Sequence, residues 1–443
     1  MNYANLYWQS TEMNTSGVKA VNIGDNLQFL AIEYIYQCMG IKREDIYRLK
    51  MDELTTYTGK ELVLPMNWAL FDNHYMVGDR IAISNAIKPV FLAMTIESIG
   101  FKEEYFNEYN SRYLKKFEPI GCRDIATRNM LTKYGIKAYV NGCLTSILPK
   151  REDDIKQTEV LLVDVPTEVY QFIPKEIKEK AITMTQQYYY PDTVPIARII
   201  DNVIKQYAFY RDNAKIVVTS RLHVASPCMA MGIPVVFTKN LVDARFDWLN
   251  SYLTLYDAEQ YNEVNWNPVK IEYEANKELI IDLAIKRING SVCSNQEIEN
   301  VNNLYEQKEE HNMVNFVDTI YSSFEKAKHF LKEGYSKDDQ FNYGIWGIGQ
   351  AAENFYKYMQ DNYPSAKLVT AIDAYKEVEF HGVATQKPES YIKKKDETIF
   401  VLPVQASNTA PKVLKEKGLL ENEFVCAGDQ FIHTNDLMFN YYG

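Results

Sequence analysis

The stretch Lys215 to Phe237, KIVVTSRLHVASPCMAMGIPVVF, leaves this chain little choice of fold. Lys215 to Thr219 reads as a short β-branched core strand. Gly232, Ile233 and Pro234 close a helical turn and launch a second strand, Ile233 to Phe237. A strand, a helix and a strand in so few residues belong to an α/β domain with a parallel sheet. Arg221 and His223 then fall between a strand's carboxyl end and a helix's amino end. In open α/β sheets that crevice receives ligands, and unpaired helix N–H groups favour an anion there. Arginine supplies a permanent forked charge, and histidine moves a proton near neutral pH. The bland alternative is a histidine on a buried turn, hydrogen-bonded to a carbonyl.

The same alternation of apolar runs and helical patterns recurs along all 443 residues, a length suited to two or three domains. Glu61 to Asn67, Lys88 to Ile96 and Ala138 to Cys143 are strand candidates, and Asn26 to Met39 and Ile125 to Tyr134 read as amphipathic helices. These make a first domain over 1–150. The stretch PKREDDIKQTE, Pro149 to Glu159, has linker composition. A second unit over 151–290 takes Val160 to Val165, Lys180 to Gln186 and Lys215 to Thr219 as strands. Ser294 and Glu297 fit a capping box that opens a helical linker over 291–339. A small third α/β domain over 340–443 begins with the strand-to-glycine run NYGIWGIG, Asn342 to Gly349.

A net charge of -11 argues against a general nucleic-acid or anionic-membrane surface, so an anionic ligand needs arginines placed locally. Six scattered cysteines, with no C-x-x-C pair and no metal-ligand spacing, predict reduced thiols in a cytoplasmic protein. The first residues lack a secretory pattern, and no segment has the roughly twenty apolar residues of a membrane span. Peripheral association with a membrane complex stays open.

Four further segments carry candidate chemistry, each beside a plainer reading. In Gly121-Cys122-Arg123-Asp124, Asp124 is a good helix N-cap, whereas Arg123 beside that helix start is a candidate anion contact. In Asn22-Ile23-Gly24-Asp25-Asn26, Asp25 or Asn26 caps the next helix, or Asp25 orients a sugar hydroxyl or acts as a base. Asp243-Ala244-Arg245-Phe246-Asp247-Trp248 is either an ordinary helix start or brings Arg245 to the same carboxyl edge as Arg221. Gly347-Ile348-Gly349-Gln350-Ala351-Ala352 follows a strand, opens a helix and precedes Asp373, as in a dinucleotide fingerprint. The alternative is a scaffold with an unoccupied turn. Tyr188, Tyr189 and Tyr190 are candidates for stacking on a sugar, or simply products of a Tyr-rich composition.

Val217 to Val236, Gly121 to Ile136 and Asn22 to Gln28, in this order and spacing, resemble the polysaccharide pyruvyl transferase family. The resemblance covers the first two domains, and residues from Gln340 lie outside it. It implies an α/β fold with two Rossmann-like domains in a glycosyltransferase-B-like arrangement, to which the small C-terminal Rossmann-like domain is added. It also implies transfer of a pyruvyl unit from phosphoenolpyruvate to two hydroxyls of one sugar, forming a ketal in exopolysaccharide or cell-wall polymers. The acceptor is then a sugar or a lipid-linked oligosaccharide. Arg221 and His223 take the family's donor-binding and activating roles. The family's usual Asp-Pro element is replaced here by Gly142-Cys143-Leu144-Thr145-Ser146.

The residues suit that chemistry: phosphoenolpyruvate has two anionic groups, and Arg221 with Arg123 or Arg245 supplies the cations. His223 is the candidate acid and Asp25 the candidate acceptor-orienting group. No metal or cofactor is required by the scheme. An NAD-like nucleotide at Gly347, Gly349 and Asp373 is the minor reading of the third domain. The competing functions are a nucleotide-sugar glycosyltransferase on the same fold and a noncatalytic sugar- or nucleotide-binding protein.

Overall fold

A computed structural model of the protein describes residues 1–7, 18–96, 103–152, 157–191, 194–305, 324–374, 376–402, 406 and 410–427. They form two compact units, one spanning most of 1–316 and the other most of 317–432. Both are mixed α/β with parallel sheets.

In the first unit, six parallel strands run in the spatial order Tyr47–Lys50, Ala4–Tyr7, Leu62–Met66, Ile87–Phe91, Ile120–Cys122, Ala138–Val140. The ladder pairs are joined by single bridges, Tyr3 to Val63 and Met94 to Cys122. The run expected as one strand over Lys88 to Ile96 is therefore broken into Ile87–Phe91 and Thr95–Ile96. A second, five-stranded parallel sheet follows the order Ala181–Met184, Glu159–Val163, Ala214–Thr219, Val235–Thr238, Leu255–Tyr256. Its three central strands are almost wholly apolar and buried, as a sheet covered on both faces requires. The first polar residues after them mark its carboxyl edge: Asp164, then Ser220 and Arg221, then Lys239 and Asn240, with Asp243 a few residues on.

Three helices bring the rest of the candidate site to that edge. Helix α1, Ile23–Cys38, starts three residues earlier than the sequence predicts. Neither Asp25 nor Asn26 caps it. Asn22, in extended backbone, accepts from the Gly24 N–H at 3.1 Å, and Asp25 lies in the first turn. Leu27, Ala31 and Ile35 repeat at four residues and are fully buried, the leucine and isoleucine each contributing roughly 1.5–3 kcal/mol by leaving water. Helix α2, Ile125–Lys133, is capped by Asp124, which accepts from Thr127 N at 2.8 Å, and is left through Gly135 at φ 68. Helix α3, Leu222–Ala230, contains Pro227.

One hydrophobic core joins the two sheets of this unit: Ile23, Leu27, Leu144 and Ile147 from the first half share it with Val224, Cys228 and Trp248 from the second. At Gly142, φ is 68 and an added Cβ would lie 2.9 Å from the Trp248 ring and 2.8 Å from the Tyr305 hydroxyl. The segment Gly142 to Ser146 is thus part of the packing between halves. Thr145 extends it by donating to the Ser226 hydroxyl of α3 at 2.9 Å. The capping box at Ser294 and Glu297 forms and opens the helix Asn295–Asn302. Much of the remaining stretch expected to be helical, 306–323, lies outside the described residues.

The second unit is a six-stranded sheet in the order Glu379–Phe380, Val383–Gln386, Lys367–Ile372, Asn342–Trp346, Glu397–Val401, Phe424–Cys426, parallel except for the first pair. The glycine turn stands at the carboxyl end of its central strand, Asn342–Trp346. Gly347 adopts φ 92, and Gly349 is the N-cap of the helix Gln350–Asn362. Asp373 does not stand open at the end of the neighbouring strand. Its carboxylate accepts from Ile348 N at 2.7 Å and from Lys376 N at 2.8 Å, so it holds the glycine turn itself.

Candidate active site

His223 sits in the first turn of α3 and is 9% exposed. Its carbonyl would ordinarily accept from the N–H of residue 227, but that residue is proline and has none. Tyr207 and Gln186 take the vacated acceptor, the tyrosine through its hydroxyl and the glutamine through Nε2 at 3.2 Å. The residue is therefore fixed from outside its own helix. On the imidazole, Nδ1 is 3.8 Å from Asp25 Oδ1, and Nε2 is buried with no hydrogen-bond partner among the described residues.

Gly24 explains how α1 comes so close. A Cβ there would lie 2.8 Å from His223 Cβ and 3.1 Å from its Nδ1. Gly24→Ala is expected to displace the imidazole by a few tenths of an ångström or more. A shift on the 1 Å scale costs about 100-fold in rate. Turnover should fall toward that value while the melting temperature stays within a few degrees, checked by kinetics beside thermal unfolding. Unchanged turnover would remove α1 from the site.

Arg221, Arg123 and Arg245 all act electrostatically on this imidazole. Arg221 donates through Nε to Asp164 Oδ2 at 2.8 Å; the arginine side chain is 21% exposed and the aspartate 1%. Asp164 adopts φ 47, a left-handed conformation that costs a non-glycine residue on the order of 1 kcal/mol. Three contacts hold it there: its Oδ2 also accepts from Gln186 N at 3.0 Å, its carbonyl accepts from Ser220 Oγ at 2.7 Å, and its N–H reaches Met184 O. Arg123 is buried and donates to Gln28 Oε1 of α1 at 3.2 Å. Arg245 is 36% exposed and forms a two-pronged pair with Asp243, at 2.9 Å on each prong. Burial raises the Asp243 carboxyl, yet Arg245 prevails and holds it below the usual range.

These charges meet at the histidine. Burial, then Arg123, Arg245 and Arg221 in that order, drives the imidazole well below its ordinary range, so the unliganded site holds it neutral. Of the residues singled out for the first two domains, Asp25 lies 3.8 Å from the His223 imidazole, and Arg123, Arg245 and Arg221 are near enough to act on it electrostatically. Three cations acting on a buried imidazole suit a multiply charged anion, whose binding would offset their charge and let the imidazole take up a proton. Among the described residues no group of three or more His, Cys, Asp and Glu side chains is placed to hold a metal ion.

The amino end of α2 beside Arg123 is filled by the protein: Asp247 accepts from Ile125 N at 2.8 Å and from Ala126 N at 2.9 Å, next to the Asp124 cap. Tyr188 and Tyr190 do not offer faces to a sugar. Both are buried, bonded to Gln206 and Asn202, with rings 6.1 Å apart. The sequence reading passed over Asp164, Gln186, Tyr207 and Asp247. Asp164 carries a usable signal, because it is the first charged residue after the apolar run Val160 to Val163.

A family model described as polysaccharide pyruvyl transferase matches residues 22–240. No curated protein matches the chain. Among solved structures, an uncharacterised protein from Klebsiella pneumoniae is similar at 14% identity and a TM-score of 0.32, over 54% of this chain and 84% of that one.

Proposed function

We propose, on the premise that residues 22–240 belong to the polysaccharide pyruvyl transferase family, that the chain transfers a pyruvyl group from phosphoenolpyruvate to two hydroxyls of one sugar. The observation that supports this reading is the convergence of Arg123, Arg245 and Arg221 in their electrostatic effect on the buried imidazole of His223. A carboxylate and a phosphate borne by one carbon call for several fixed cations, and an enol phosphate calls for a proton donor at its methylene carbon.

In the proposed reaction, His223 in its protonated form delivers a proton to the methylene carbon, and positive charge grows on the carbon bearing carboxylate and phosphate. A sugar hydroxyl attacks that carbon and loses its proton, with Asp25, close to the imidazole, as the orienting carboxylate. The bond from carbon to the phosphate oxygen then breaks, and the arginines stabilise the departing phosphate. A second hydroxyl of the same sugar attacks and loses its proton, which closes the ketal. The products are inorganic phosphate and a sugar carrying the pyruvyl unit. A glycosyltransferase-B-like pairing of Rossmann-like halves belongs to the same reading, supported by two parallel sheets in one compact unit with the arginines drawn from both.

The test is incubation with phosphoenolpyruvate and a panel of free and lipid-linked glycosides, following phosphate release and the mass of the acceptor. Stoichiometric phosphate and added pyruvyl are expected. Release of a nucleotide from a sugar-nucleotide donor in place of phosphate would replace this reading with glycosyl transfer.

A further inference from the structure

Asp247 joins two parts of the site that come from different sheets. It lies on the 3₁₀ helix Ala244–Ser251, two residues beyond Arg245, and is 5% exposed. Both its carboxylate oxygens are used: Oδ1 accepts from Ile125 N and Oδ2 from Ala126 N, the first two N–H groups of α2. Arg123 precedes that helix by two residues, and its own N–H is held by Met94 O at 2.7 Å. Asp124 between them caps Thr127 N and accepts from Thr95 Oγ1 at 2.5 Å. Two carboxylates thus share one helix end, an arrangement that like-charge repulsion and burial both oppose. Burial first, and then Asp124, raises the Asp247 carboxyl well above its usual range. Asp124 satisfies Thr127 N and leaves Ile125 N and Ala126 N to Asp247, so the cap of α2 is completed by a carboxylate from the segment that carries Arg245, more than a hundred residues away.

We infer that Asp247 is a positioning residue that latches α2 to the Arg245 turn, so that Arg123 and Arg245 face a bound anion at one fixed separation. This rests on the reading of the cluster as an anion site. An arginine pair grips a carboxylate or phosphate only when both forks are held within a fraction of an ångström of their bonding positions. With the latch cut, each arginine keeps its own local partner, Gln28 for Arg123 and Asp243 for Arg245, but their mutual distance is no longer set.

The test is a double-mutant cycle on phosphoenolpyruvate affinity in the full-length protein, using Asp247→Asn and Arg245→Lys. Asp247→Asn keeps the size of the side chain and one acceptor, so the protein should remain folded with a lowered melting temperature. Its dissociation constant should rise about 10-fold. Adding Arg245→Lys should then cost far less than it does in the wild-type background, because the pair is already uncoupled. A purely structural aspartate gives fold-changes that multiply, and that result, or unchanged affinity in Asp247→Asn, overturns the inference. If the wild-type protein ignores phosphoenolpyruvate, the donor reading fails on its own account. The cycle run with inorganic phosphate as the probe then decides the latch by the same criterion.

Discussion

His223→Gln is expected to lower turnover by roughly 10²–10⁴-fold, the usual worth of a positioned general acid, while donor affinity changes much less. Glutamine fills similar space and cannot deliver a proton. The pH behaviour should carry a second signature. In the empty site burial and the three arginines keep the imidazole neutral at pH 7. A donor bearing carboxylate and phosphate neutralises those arginines, so the imidazole gains affinity for a proton as the donor binds. Binding near neutral pH should therefore take up more protons in wild type than in His223→Gln, and calorimetry in buffers of different ionisation enthalpy reads this directly. Equal uptake in the two proteins would remove His223 as the acid. The linked stability effect has a definite sign. Without ligand, the folded protein binds fewer protons at His223 than the unfolded chain does below pH about 6.5. The contribution is thus full above that pH and is lost as the pH falls from there toward the folded value. His223→Gln should flatten that slope.

Arg221→Met is expected to raise the donor KM by roughly 10–100-fold, the worth of a charge-assisted hydrogen bond or two. It also strands Asp164, whose carboxylate is almost wholly buried and whose charge Arg221 answers at 2.8 Å. Removing one partner of a buried pair costs on the order of 3–5 kcal/mol, so the melting temperature should drop by many degrees. The double variant Asp164→Asn with Arg221→Met separates the two effects. Asparagine tolerates the left-handed backbone that Asp164 adopts and removes the stranded charge. Stability should return while KM stays high. If KM is normal in either variant, Arg221 does not hold the donor. If the double variant is as unstable as the single one, the buried pair is not the source of the loss.

The parts of this protein legible in its sequence are those governed by local rules. Apolar runs located Leu62–Met66, Glu159–Val163, Ala181–Met184, Ala214–Thr219 and Val235–Thr238 to within a residue or two, since a buried strand needs a continuous apolar stretch, but they did not single out Ala4–Tyr7, Tyr47–Lys50, Ile120–Cys122 or Leu255–Tyr256. The rule that ligands gather at the carboxyl edge singled out Arg221 and Arg245 from their position alone. Contacts that depend on distant partners left no such trace. Asn22 rather than Asp25 caps α1, because the chain enters the helix three residues early, where Ile23 N finds Gln186 O. Asp247 reads as one charge in a mixed turn until α2 is placed against it. Tyr188 and Tyr190 look available until the helix Ile196–Asn213, which supplies Gln206 and Asn202, covers them. Asp373 matches a ribose-binding position by spacing, yet spacing does not say that the turn's own N–H groups will occupy it.

Pro227 gives the site an unusual dependency. A helix normally closes its own bonds, and a residue in its first turn would keep its place even if the neighbouring helices shifted. Here the missing donor hands the His223 carbonyl to Tyr207 and Gln186, which stand on other elements. Restoring the bond with Pro227→Ala would make α3 self-sufficient and leave a buried tyrosine hydroxyl and a carboxamide short of an acceptor. The gain of a helical bond and the loss of two external ones nearly offset in stability. They do not offset in function. The proline therefore marks a trade in which local autonomy is given up and the His223 imidazole is registered against the rest of the fold.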